Sequence, residues 1–136
     1  MDTFPLWCGR LAVTVFFAIA FGQSAADKWL DRKGNLDYLG GHFASSPLRS
    51  LVTPLFWGIT VLESVAGLLC AVGAVQLLVG GGTGVALWGL LLSIVSLLCL
   101  FFGQRLAKDY GGAVVIASYV AVALLGLMLM GLRVAP

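Results

Sequence analysis

Four long apolar stretches dominate this sequence and constrain its fold more than any other feature. They occupy residues 6–26, 53–79, 84–104 and 112–132. Each reaches about 20 residues, the length at which an α-helix crosses the hydrocarbon core of a bilayer. In lipid, a helix bonds all of its backbone groups internally, whereas barrel strands would alternate in polarity, which these stretches do not. The sequence therefore predicts an all-α integral membrane protein, a four-transmembrane-helix antiparallel bundle.

The composition excludes a soluble fold and disfavours a nucleic-acid partner. The 136 residues are 60% hydrophobic and 10% charged, whereas soluble domains are about 25% charged. A small soluble domain could not bury this much apolar surface, so membrane lipids are the expected surroundings. The net charge is +2 and no basic stripe is present, so we expect no nucleic acid to bind.

The connections between the apolar stretches differ greatly in length, within what we predict to be a single domain over residues 1–136. The first, Asp27 to Ser50, mixes charged and aromatic residues, which is typical of a segment lying partly in the membrane interface. We expect its three glycines to break it into short pieces: Gly34, Gly40 and Gly41. Ser46-Pro47 resembles the start of a short helix. The later connections are short, which predicts antiparallel neighbours.

The distribution of Lys and Arg predicts the orientation. Six basic residues lie in the first and third connections: Lys28, Arg32, Lys33, Arg49, Arg105 and Lys108. Only Arg10 and Arg133 lie on the opposite side. By the positive-inside rule, the first and third connections are cytoplasmic and both termini lie outside.

Small residues recur every four positions in each span, which favours close helix contacts because lipid supplies no hydrophobic force between helices. The predicted contact residues are, in chain order, Ala18, Gly22, Ala26, Gly67, Ala71, Gly89, Ser93, Ala113, Ala117 and Ala121.

Glu63 is the most informative polar residue, because it lies about ten residues into the second span, roughly 15 Å below the charged face. Such a group is costly in lipid and should face the bundle interior with a partner. Counting residues along the other spans places further polar groups near its depth. We predict one buried polar cluster: Glu63, Thr60, Gln23, Ser96 and Tyr119. It is either a protonatable or ligand-anchoring site, or a set of hydrogen bonds that holds helices together.

Four cations are predicted at the interface, where they would contact lipid head groups: Arg10, Lys28, Arg105 and Lys108. His42 has no companions suited to a metal site, and no nucleophile with an adjacent base is recognisable. We therefore expect no metal, no catalytic residues and no catalytic activity of the chain's own.

Two segments resemble the DoxX-like family of four-helix membrane proteins. The first contains Arg10-Leu11, Phe16-Phe17, Phe21-Gly22 and Lys28; the second contains Leu62-Glu63, Gly67-Leu68-Leu69 and Gly73. The resemblance implies an association with membrane redox systems, and Arg10, Lys28 and Glu63 match family positions. The first connection is longer and more charged than the family pattern.

The leading functional prediction is an accessory, non-catalytic subunit of a redox or respiratory-type complex, located in a bacterial inner membrane. Other membrane subunits would be its partners, or it would form a homo-oligomer, and it would line a pocket for a quinone or a lipid held without covalent attachment or metal ligation. The alternative is a small proton-coupled transporter or channel that uses Glu63. A third option is a small oxidoreductase that uses Glu63 and Tyr119 on a bound quinone.

Overall fold

The computed structural model describes residues 3–133 and contains five helices. They are α1 (Phe4–Leu30), α2 (Arg32–His42), α3 (Val52–Leu78), α4 (Gly84–Leu106) and α5 (Tyr110–Gly131). All except α2 are long and apolar enough to cross a membrane. The prediction of an all-α membrane bundle with four spanning helices is confirmed.

Local sequence signals account for several helix ends. Pro5 lies in the first turn of α1, where its missing N–H costs nothing. The Asp31 side chain caps α2 by accepting a hydrogen bond from the Gly34 N–H at 3.1 Å, and Asp109 caps α5 in the same way through Gly112 at 2.9 Å. Gly80 follows the end of α3 and has a φ of 80°, a left-handed conformation that favours glycine.

The four spanning helices form a ring in which α1 packs on α3, α3 on α4 and α4 on α5, with α5 returning to α1. We call the end where α1 and α4 begin the terminal face, and the end where α3 and α5 begin the loop face. The Trp7 indole N–H donates to the Leu77 carbonyl at 3.0 Å and thereby ties α1 to α3 at the terminal face. At the loop face, α2 lies against α3 and α1.

Glycines allow the helix backbones to touch. A Cβ added at Gly73 would lie 2.6 Å from the Cα of Ala86, and one at Gly67 would lie 2.9 Å from the Gly22 backbone nitrogen. Gly89 is in similarly close contact with Cys70. The predicted close contacts are therefore confirmed at Gly22 and Gly67, between α1 and α3, and at Gly89, between α4 and α3.

Part of the predicted small-residue pattern faces outward instead. Ala26, Ala71, Ala117 and Ala121 are exposed at the surface of the isolated chain, although each continues a four-residue repeat. Because an α-helix has 3.6 residues per turn, each four-residue step rotates about 40° beyond a full turn, and the repeat moves progressively off the contact face. These four residues do not pack between helices of one chain.

Two expectations for the first connection are wrong. Gly34, Gly40 and Gly41 do not break it, because all three lie inside the continuous helix α2, whose start is capped by Asp31. No helix begins at Ser46-Pro47: the Ser46 hydroxyl accepts from the Leu48 N–H at 3.1 Å, but the following residues form turns until α3 starts.

The contact at Gly73 generates a stability prediction. Gly73→Ala places a methyl group against the backbone of α4 and should destabilise the bundle by about 1–3 kcal/mol, the usual cost of overpacking. Thermal unfolding in detergent measures this. The control is Gly58→Ala in the same helix, where an added Cβ meets open space; it should be neutral or slightly stabilising. Equal melting temperatures for the two variants would refute the close contact.

Candidate functional site

Glu63 is bound by two side chains of α1. Its carboxylate is 1% exposed. The Ser24 hydroxyl donates to Oε2 of Glu63 at 2.8 Å, and Nζ of Lys28 lies 2.9 Å from the same oxygen. Lys28 also donates to the Ser24 hydroxyl at 2.8 Å. These contacts form a closed triangle of three polar groups that joins α1 to α3.

The sequence positions explain why these groups meet. Ser24 and Lys28 are four residues apart and therefore lie on one face of α1. The contact between Gly22 and Gly67 brings that face against α3, close to Glu63. The carboxylate and the ammonium offset each other's charge, which lowers the cost of placing either in the membrane.

The predicted five-residue cluster needs correction. The Thr60 hydroxyl donates to the Phe56 carbonyl at 2.6 Å, and the Ser96 hydroxyl donates to the Leu92 carbonyl at 2.9 Å. Both groups bond to their own helix, as buried Ser and Thr often do, and so need no partner across the bundle. The remaining two members do not join Glu63 either.

Gln23 and Tyr119 lie apart from the carboxylate. Gln23 is on the exposed side of α1, and the Tyr119 ring packs against Phe16 with 5.8 Å between ring centroids. Among the described residues, the polar site at Glu63 thus consists of Glu63, Ser24 and Lys28. The spacing of Ser24 and Lys28 was a usable signal for this grouping.

The four predicted interfacial cations have different surroundings. Lys28 pairs with Glu63 of α3, because α1 continues to Leu30 and holds the residue alongside α3; a lipid contact for Lys28 stays a prediction. Arg10 donates to the carbonyls of Leu129 at 2.8 Å and Leu132 at 2.6 Å, at the end of α5. The remaining two are exposed at the loop face: Arg105, which stacks on Tyr110, and Lys108. A lipid-binding role for these two stays a prediction.

A cluster of aromatic side chains lies beside the polar site. The Trp29 indole donates to the Ser64 hydroxyl at 2.9 Å, and the Trp29 and Trp57 rings are 5.6 Å apart. The Arg32 guanidinium lies 5.7 Å from the Trp57 ring centroid. Tryptophans and basic residues concentrate at membrane interfaces, so this cluster is suited to the head-group level of the loop face.

A cavity of about 490 Å³ lies beneath α2 at the loop face. Its walls are mainly apolar and come mostly from α3 and α4, with further residues from α2, from the connection between α2 and α3, and from α5; they include Leu55, Phe56, Ile59, Leu62, Leu100 and Ile116. Its polar lining consists of Lys28, Asn35, Tyr38, His42 and Gln104. Small-molecule sites commonly have volumes of roughly 300–1,000 Å³ and this mixture of apolar walls and few polar groups.

His42 connects α2 to α4 and so holds α2 over the cavity. Its Nε2 lies 2.6 Å from Oε1 of Gln104 in α4 and 3.7 Å from a carboxylate oxygen of Asp109. The imidazole also stacks on Tyr38, with 5.5 Å between ring centroids. No sequence pattern predicts the pairing of His42 with Gln104, because the two residues are far apart in the chain and share no spacing.

Comparison with known proteins identifies no relative: no family model, no curated protein and no solved structure matches this chain. The resemblance to DoxX-like proteins therefore stays a prediction. The geometry itself defines the class, an integral membrane bundle of four spanning helices with an amphipathic cavity beneath α2, beside a buried ion pair.

The ion pair generates a second stability prediction. Lys28→Met leaves the Glu63 carboxylate buried without its cation and should destabilise the protein by about 3–5 kcal/mol, the usual cost of breaking a buried pair. The double variant Lys28→Met/Glu63→Gln should recover much of this loss, because no unpaired charge remains. Thermal unfolding in detergent measures both.

Lys33→Met is the control, because Lys33 is exposed on α2 and removal of its charge should leave the melting temperature unchanged. If Lys28→Met melted like this control, or if the double variant were less stable than Lys28→Met alone, the ion pair would not stabilise the bundle.

Proposed function

We propose that this protein is an accessory, non-catalytic membrane subunit of a redox or respiratory-type complex, and that its cavity beneath α2 holds a membrane amphiphile, a quinone or a lipid. The observation that carries the proposal is the cavity, with its apolar walls and its few polar groups. An amphiphile matches this combination of apolar walls and polar groups, because its chain requires apolar contact and its head group requires hydrogen bonds.

Access to the cavity supports a ligand that arrives from the bilayer. Leu55 and Phe102 line the cavity and are also 47% and 61% exposed at the bundle surface. Both belong to helices long and apolar enough to span the membrane. An amphiphile could therefore enter sideways between α3 and α4 without leaving the lipid.

The polar lining supports binding of a head group with acceptor oxygens. Nζ of Lys28 carries three N–H groups, of which Ser24 and Glu63 occupy two. The third is available to a carbonyl or phosphate oxygen. The Tyr38 hydroxyl supplies a further donor along the same lining, whereas the Asn35 amide nitrogen already donates to Asp27 and Asp31.

Membership of a larger complex is supported by the resemblance to DoxX-like proteins and by the exposed apolar helix faces. The exposed apolar faces include Leu124, Leu125 and Met128 on α5 and Leu68 and Val72 on α3. These side chains pack equally well on lipid or on another membrane subunit. The excess of Lys and Arg at the loop face supports a cytoplasmic location for that face. The proposed membrane is a bacterial inner membrane.

Filling the cavity tests the proposal. Gly103→Leu adds a side chain at the cavity wall, where the added Cβ would lie 3.5 Å from the Phe43 ring, an ordinary contact. The protein is purified in a mild detergent, its bound amphiphiles are extracted and identified by mass spectrometry, and co-purifying subunits are identified in the same sample. The variant should retain far less of one amphiphile than the native protein does.

Gly22→Leu is the matched control, because its Cβ meets open space away from the cavity; it should retain the amphiphile in full. Equal retention by the two variants would contradict cavity binding. Absence of any redox subunit from the native preparation would contradict the role as a subunit while leaving the binding result intact.

A second candidate function is a small proton-coupled transporter or channel. The observation that favours it is that Lys28 both pairs with buried Glu63 and lines the cavity, so a proton could pass between the ion pair and the cavity. Under this function, Glu63→Gln abolishes pH-driven flux in liposomes, whereas Gly22→Leu leaves it unchanged. Flux that persists in Glu63→Gln, or no flux in the native protein, rules this function out.

A further inference from the structure

A second hollow, of about 600 Å³, lies at the opposite end of the bundle, on the terminal face. It is bounded by the start of α1, the start of α4 and the end of α5. Its lining includes Trp7, Arg10, Thr83, Met130, Leu132 and Arg133. The proposed function above does not use this hollow, and the inference drawn from it is independent of that function.

Within residues 3–133, the charged side chains that line the hollow are all positive. Its two charged lining residues in the described part of the chain are Arg10 and Arg133. The acids of the described range belong to the loop-face half of the bundle: Asp27, Asp31, Asp37, Glu63 and Asp109. No carboxylate described by the structure is therefore in position to balance either guanidinium.

Arg10 is held rigidly but keeps free donors. A guanidinium has five N–H groups, and the carbonyls of Leu129 and Leu132 accept two hydrogen bonds from it. These neutral acceptors fix the group in place without cancelling its charge. The remaining N–H groups can serve an anion, and a planar guanidinium suits the oxygens of phosphate particularly well.

Two further residues favour the same ligand. Arg133 is exposed beside Arg10 at the hollow, and within residues 3–133 it forms neither a hydrogen bond nor an ion pair. The Thr83 side chain precedes α4 and makes no capping hydrogen bond, so its hydroxyl is free to donate.

We infer that Arg10 and Arg133 form a binding site for a phosphate group on the terminal face of the bundle. The apolar lining residues Leu6 and Met130 border the same hollow and can contact an acyl chain. The phosphate comes either from the head group of an anionic phospholipid in that leaflet or from a free phosphate ion, and the experiment separates the two.

The test measures the rise in melting temperature of the whole protein, in an uncharged detergent, as three probes are titrated: phosphatidylglycerol, phosphatidylcholine and inorganic phosphate. If a lipid supplies the phosphate, phosphatidylglycerol stabilises the protein and the other two do so much less. If inorganic phosphate stabilises it equally, a free anion is the ligand. Stabilisation by none of the three overturns the site.

Arg133→Gln is the decisive variant, because within residues 3–133 Arg133 has no hydrogen bond or ion pair to lose. It should bind the effective probe about tenfold more weakly, as expected for the loss of one charge-assisted contact. Lys33→Gln removes an equal charge from the loop face and should bind the probe as the native protein does. Equal weakening in the two variants would show a general charge effect and overturn the site.

Arg10→Lys serves as a second variant, since it keeps the charge but loses the planar fork. It should also weaken binding of the effective probe. If it fails to fold because α5 loses its contacts, Arg133→Gln still decides the outcome; native binding in Arg133→Gln contradicts the inference.

Discussion

The contact between the backbones of α1 and α3 at Gly22 and Gly67 determines the arrangement of the polar groups in this bundle. A Cβ at Gly67 would lie 2.9 Å from the Gly22 nitrogen, so any other residue there would push the helices apart. Ser24 lies two residues beyond Gly22, and Glu63 lies one turn before Gly67. Their hydrogen bond of 2.8 Å exists only while the backbones touch. The position of Lys28 at the cavity wall depends on the same contact.

Polar contacts and close packing stabilise different helix pairs of the bundle. The buried hydroxyls of Thr60, Ser93 and Ser96 donate to carbonyls of their own helices, so they contribute little between helices. The contact of α3 with α4 depends instead on small residues, with Gly73 against Ala86 as the tightest point. Side-chain bonds between spanning helices concentrate on α1, which is tied to α3 and α5. The ion pair of Lys28 with Glu63 therefore involves α1, the helix with the most specific side-chain contacts in the described part of the chain.

Sequence reasoning predicted the spanning helices and the need of Glu63 for a partner, but it did not find the partner. Counting residues at 1.5 Å each gives the depth of a side chain in the membrane; it does not give the direction in which that side chain faces. Ser96 and Tyr119 were placed by depth alone, and the rotation of α4 and α5 about their axes directs them elsewhere. The position of the cavity beneath α2 was not predictable from the sequence either, because it depends on the contact of His42 with Gln104 across the fold.

The bonds from Arg10 to the end of α5 have a consequence for biosynthesis. Arg10 belongs to α1, which is synthesised before the other four helices described here, and the carbonyls of Leu129 and Leu132 lie at the end of α5. Throughout translation of the intervening helices, the guanidinium must be satisfied by water or lipid, since its protein acceptors do not yet exist. The terminal face is thus completed only after translation has passed α5, and a nascent chain arrested earlier carries an arginine without its acceptors.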